Sequence, residues 1–128
     1  MKHKKFCANE YQECKAFWEW AQYNPILAEY LYKIVNEGKR TARNGASLKL
    51  IGLRAGLPDY HLPISVGDWN GLWIEMKTRD QSDEKQSQKQ KEWIRKLKKA
   101  NHYATFAYGW EHAAKITTEY LQNKLLMD

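Results

Sequence analysis

In the stretch "GLPDYHLPISVGDWNGLWIEMKT", residues 56–78, Asp59 stands at the head of one apolar run and a second apolar run carries Glu75 and Lys77. Alternate residues of a strand share a face, so Trp73, Glu75 and Lys77 point one way and Ile74 and Met76 the other. If the runs fold back on each other through "GDWNG", whose Gly and Asn suit a hairpin turn, Asp59 returns beside Glu75. Two carboxylates then meet next to an ammonium. Like unit charges ~4 Å apart at an effective dielectric of ~20 repel by about 4 kcal/mol, so the pair requires a proton, the lysine or a bound cation. A divalent cation answers this best, because Mg²⁺ takes one or two carboxylates together with waters and substrate phosphate oxygens. Such an ion polarises a phosphoryl oxygen and acidifies an attacking water. Lys77 would orient that water or stabilise the added negative charge of a five-coordinate phosphate. The plainer alternative is a Pro-Asp turn followed by a solvated strand face with ordinary cross-strand pairing.

Gln90 is a second candidate. It lies on one helical stripe with Trp93, Ile94, Leu97 and Asn101 in "DEKQSQKQKEWIRKLKKAN", so its amide faces the sheet and needs partners there. It either ties down strand backbone or meets the carboxylates and helps hold water or phosphate. Lys91, Arg95 and Lys98 share the opposite side of that helix, and residues 81–101 hold seven Lys or Arg against three acids. That face could follow a phosphate backbone or simply be solvated.

These residues need a scaffold, and the chain supplies signals for one. Asn9 is a candidate N-cap for "EYQECKAFWEWAQ", which ends near Asn24-Pro25. "LAEYLYKIV" reads as a helical turn leading to a strand, and "NEGKRTARNG" as a basic loop opening a short helix toward "SLKLIG". After the hairpin and the Gln90 helix come a strand, "HYATFAY", and a closing helix with Ala113, Ile116 and Tyr120 along one side, continued by Lys124 or Leu125. This order predicts an α+β fold, a mixed central sheet flanked by helices, in one domain over residues 1–128.

Composition narrows the function class. With 21 Lys and Arg against 15 Asp and Glu the net charge is +6 and the pI is near 9.3, which favours a polyanionic partner, nucleic acid or an anionic membrane surface. Mean hydropathy is −0.81, no apolar run approaches the ~18 residues of a spanning helix, and basic "MKHKK" is followed by polar residues where a signal peptide would be apolar. An intracellular protein is expected, with Cys7 and Cys14 as free thiols on similar faces of the first helix.

The stretch "GLRAGLPDYHLP", with "GLWIEMKT" and "SQKQKEWIRKL" in that order, closely resembles the VRR-NUC group of the PD-(D/E)xK nuclease superfamily, and the likeness extends from about Asn9 through "YATFAYGWEHAAKITTEYL". The resemblance implies a restriction-endonuclease-like domain that hydrolyses DNA phosphodiesters with Mg²⁺ or Mn²⁺, leaving a 5′-phosphate and a 3′-hydroxyl. Carried over by position, Asp59 and Glu75 would be metal ligands, Met76 would add its main-chain carbonyl, Lys77 would be the catalytic lysine and Gln90 the glutamine that follows it. Glu10 fits the helix-one acid, although Cys14 stands where the family has Gln or Glu, and Glu13 is the possible substitute. Small stand-alone members, many from phages or prophages, resemble homodimers that cut four-way junctions, while larger relatives cut flaps. Arg40, Arg43 and Arg54 are the added candidates for phosphate contact. The rival functions are a non-catalytic nucleic-acid-binding module, a flap or single-strand nuclease, and a basic adaptor for an acidic protein or membrane surface.

Overall fold

The computed structural model describes residues 7–35, 42–80 and 87–125, without the side chains of residues 42–44. Among them the order is α1 (Glu10–Ala21), α2 (Pro25–Tyr30), β1 (Tyr32–Lys33), α3 (Ala42–Leu50), β2 (Tyr60–Leu62), β3 (Leu72–Lys77), α4 (Gln88–Lys99), β4 (Tyr103–Tyr108) and α5 (Trp110–Leu121). The strands form one mixed sheet in the order β1-β2-β3-β4. The first two pairings are antiparallel and β3–β4 is parallel, so α4 is the crossover helix that a parallel pair requires.

Local chemistry explains the helix ends. Asn9 and Gln12 form a capping box at α1, and Ser87 and Gln90 form another at α4. Asn24 caps α2, with Pro25 in the first turn where its missing N–H costs nothing. The α4 stripe stops short of Asn101. That residue lies past the C-cap Ala100 with φ 64°, the left-handed conformation that ends a helix. Lys124 likewise lies beyond α5, whose C-cap is Gln122.

The hairpin differs from the sequence expectation. Strand β2 has only three residues because Pro63 cannot donate to a ladder. Residues 63–71 make an excursion whose tight turn pairs Val66 with Trp69, with Gly67 at φ 57°. The register nevertheless survives: Tyr60 pairs with Ile74 and Leu62 with Leu72, so the next step places Asp59 opposite Glu75.

Helices cover both faces of the sheet. Phe17 and Ala21 of α1 and Ala113, Ile116 and Tyr120 of α5 bury against Tyr60, Leu62, Leu72, Ile74 and Met76. On the other face Ile94 and Leu97 of α4 pack with Ala104, Trp73 and Phe106. With helices on both sides, β3 is buried along nearly its whole length, its charged residues included. Both cysteines are free. Cys7 precedes α1 and so shares no helix face with Cys14.

Candidate active site

Glu75 and Lys77 keep only 4% and 5% of their surface in contact with solvent, so the solvated strand face is not what this fold builds. Their side chains meet α4. Gln90 Nε2 donates to Glu75 Oε2 at 3.0 Å, and Gln90 Oε1 accepts from Lys77 Nζ at 3.2 Å. The same Oε1 accepts the Ser87 N–H at 3.2 Å. The capping box that starts α4 thus also fixes which way Gln90 points. The Ser87-x-x-Gln90 spacing carried that signal in the sequence.

Asp59 sits one residue before β2. Its Oδ2 accepts the Met76 N–H at 2.8 Å and its Oδ1 accepts from Lys33 Nζ at 3.1 Å. The Met76 side chain is in the core on the other face, so the part of Met76 beside Asp59 is its main chain. Glu10, the first residue of α1, places Oε1 3.8 Å from Lys77 Nζ, and Glu75 Oε2 lies 3.9 Å from that ammonium. Lys77 therefore stands among Glu10, Glu75 and Gln90.

The two helix-one acids are separated by geometry. Glu13 is 1% exposed and turned to Arg79, whose Nε and Nη2 donate to Oε2 and Oε1 at 2.9 and 3.0 Å. The Trp110 N–H adds a third bond at 3.3 Å, and Arg79 also reaches Glu111 at 3.1 Å. The Arg79 guanidinium holds the Glu13 carboxyl below its ordinary range. Glu10 is the helix-one acid near Lys77, and Glu13 ties α1 to the start of α5.

Burial first, then the neighbouring Asp59 carboxylate, push Glu75 up to about 9, with Lys77 opposing them. Asp59 is the second cause of this rise, so the two carboxyls oppose each other's ionisation unless a cation lies between them. A divalent cation fits the same place. The donors are hard oxygens, the Asp59 and Glu75 carboxylates, with the Glu10 carboxylate beside Lys77. Among the described residues no group of three or more His, Cys, Asp or Glu is gathered so as to hold a metal ion. An open two-carboxylate site is the type that leaves room for waters and phosphate.

The candidates for phosphate contact divide. Arg40 and the side chain of Arg43 lie outside the described residues. Arg54 is exposed, its Cζ 5.9 Å from the centre of the Trp93 ring. Lys91, Arg95 and Lys98 are exposed on α4.

Sequence reasoning missed Lys33, because its partner Asp59 is 26 positions away and the two-residue β1 leaves almost no pattern. It also missed the aromatic stack further along the same face of the sheet. There His61 lies on Trp73 at 3.8 Å between ring centres and 15° between planes, and the Trp73 Nε1–H donates to His102 Nδ1 at 3.2 Å. Burial lowers His61 to about 4, so it stays neutral near pH 7.

The family model described as the VRR-NUC domain matches residues 8–110. A solved structure described as a VRR_NUC domain protein is similar to this chain with a TM-score of 0.76 at 24% identity, covering 91% of each chain. No curated protein matches.

Proposed function

The chain belongs to the VRR-NUC family of nuclease domains, and on that premise we propose that it is a Mg²⁺- or Mn²⁺-dependent endonuclease acting on branched DNA. The observation that carries this reading is that Glu75 and Lys77 are buried on β3 while the partly exposed Asp59 accepts the N–H of Met76, the residue between them. A fold buries a carboxyl and an ammonium beside a second carboxylate at a cost in stability, and function is the compensating gain.

In this reading Asp59, Glu75 and the main-chain carbonyl of Met76 hold the ion, with Glu10 contributing at the margin. When bound, such an ion supplies a Lewis acid for a phosphoryl oxygen and lowers the pKa of a coordinated water. The chain's own residues do the rest. Lys33 and the Met76 N–H keep the Asp59 carboxylate fixed. Gln90 holds Lys77 Nζ and Glu75 Oε2 in one plane of hydrogen bonds, which sets the ammonium where negative charge develops on the phosphate. Water attacks phosphorus, the bond to the 3′ oxygen breaks, and that oxygen leaves with a proton. A homodimer suits a four-way junction, since each copy would address one of two equivalent strands.

The test is a cleavage assay on four-way junction, flap and duplex DNA in EDTA, Mg²⁺ and Mn²⁺. Cleavage requires the metal, favours a branched substrate, and disappears in Asp59→Asn and Lys77→Ala while DNA binding persists. Binding without cutting under every metal condition would leave a non-catalytic nucleic-acid-binding module.

A further inference from the structure

Two large aliphatic side chains stand almost entirely in water at the end of α3: Leu50 is 88% exposed and Ile51 83%. Burying either would gain roughly 1.5–3 kcal/mol, and the local fold does not leave them out by looseness. Gly52 has φ 109°, its N–H donates to Lys49 O at 3.2 Å, and the Leu53 N–H donates to Leu48 O at 3.0 Å. This is a Schellman closure, in which Leu48 and Leu53 stand at the two positions that its 6→1 bond joins. Leu50 and Ile51 are therefore held outward on a hydrogen-bonded helix end.

Beside them runs a groove of about 370 Å³, lined by Lys49, Leu53, Arg54, Lys89, Glu92 and Trp93. Three cations face one acid. The indole is anchored by its Nε1–H donating to Ala55 O at 3.1 Å, and it carries Arg54 Cζ at 5.9 Å and Lys96 Nζ at 4.7 Å from its ring centre. Lys89 precedes Gln90 in the first turn of α4, so the groove opens at the same end of that helix as the carboxylates.

A basic groove ending in an aliphatic tip fits DNA whose stacking is interrupted. In continuous duplex each base pair covers the next, and an aliphatic side chain has no flat apolar face to meet without prising a step apart. At a branch or a duplex end that face is already exposed. Resting on the nuclease reading above, we infer that Leu50 and Ile51 stack on the base pair at such a discontinuity while Lys49, Arg54 and Lys89 hold the phosphates of the strand leading to Asp59 and Glu75. A second copy is a poorer occupant, because a two-fold contact would set these cations against themselves.

The experiment uses the full chain in EDTA, a synthetic four-way junction carrying 2-aminopurine at the branch, and continuous duplex of the same sequence. Leu50→Ser/Ile51→Ser weakens junction binding about tenfold or more, the equivalent of 1.4 kcal/mol, leaves duplex binding within about twofold, and removes the 2-aminopurine response. Lys49→Gln/Arg54→Gln/Lys89→Gln weakens both DNAs and reduces the slope of log K against log salt by roughly 2–3. Equal loss on both DNAs in the aliphatic variant, or a fall in its sedimentation mass, would overturn the inference, the second outcome assigning the tip to a second copy. Wild-type protein that selects the junction but cuts no DNA in Mg²⁺ or Mn²⁺ sinks the nuclease reading alone. Cleavage whose branch preference survives Leu50→Ser/Ile51→Ser sinks this inference alone.

Discussion

Glu75 is asked to do two opposed things. Buried beside Asp59, it is pushed up to about 9 when no cation is present, whereas in the unfolded chain it ionises near 4.5. A carboxyl raised in the folded state gives stability that is complete below the unfolded value and is lost as pH rises through the folded one. At neutral pH the ionised form is therefore a liability, and Glu75→Gln, which keeps the bonds to Gln90 and Lys77 open, raises stability in EDTA by about 1–3 kcal/mol while abolishing cleavage. Thermal melts across pH 5–9, an approximate window bounded by the two pKa values, check the sign: the wild type loses stability toward alkali more steeply than the variant. Gln90→Ala releases Lys77 and Glu75 together, and a loss of roughly 10–100-fold in kcat with little change in KM is expected from a residue that orients the groups doing the chemistry. Single-turnover and steady-state kinetics separate the two parameters.

Two elements position the site, and each has a point where it can be loosened. The first is the approach of α4 to the segment before Asp59. A Cβ at Gly56 would lie 2.8 Å from the Lys89 backbone, and the φ of 92° strains any other residue there. Gly56→Ala pushes the first turn of α4 off the sheet and carries Gln90 with it. A stability loss of roughly 1–3 kcal/mol, accompanied by reduced cleavage, is the outcome to look for in chemical denaturation and activity assays on the same preparation. The second is the Glu13–Arg79 pair that fastens α1, and so Glu10, to α5. Glu13 is depressed by Arg79, so its contribution is present above about its ordinary value of 4.5 and is lost as pH falls through the folded value. Arg79→Ala leaves a buried carboxylate with one remaining bond. It costs roughly 1–3 kcal/mol, discounted because the arginine is itself half exposed, and flattens the acid limb of a melting-temperature profile.

At the scale of the whole molecule, what the sequence displayed and what it hid follow from distance along the chain. Asp59, Glu75 and Lys77 were legible because strand alternation and a single fold-back place them together, and the 59–75 register held although Pro63 broke the hairpin that suggested it. Gln90 was legible as a polar residue on an apolar stripe. Lys33, the Glu13–Arg79 tie and the His61–Trp73–His102 stack were not, since each joins elements separated by 12 to 66 positions with no periodic signal at either end. The basic face of α4 was visible in composition. The sequence did not show that Lys49, Arg54 and Lys89 come together along one groove. This arrangement predicts that replacing the groove cations lowers DNA affinity and its salt dependence more than replacing Lys91, Arg95 and Lys98, which anisotropy titrations over a range of salt would compare directly.

The central claim is the capture of a divalent ion by Asp59, just before β2, and Glu75 of β3, and the most direct measurement is anomalous scattering from crystals soaked in manganese. The account predicts one strong peak bonded to Asp59 and Glu75, within a few ångströms of Lys77 Nζ and absent in Asp59→Asn. Ordered carboxylates with no peak between them, or manganese bound only elsewhere on the chain, would contradict it.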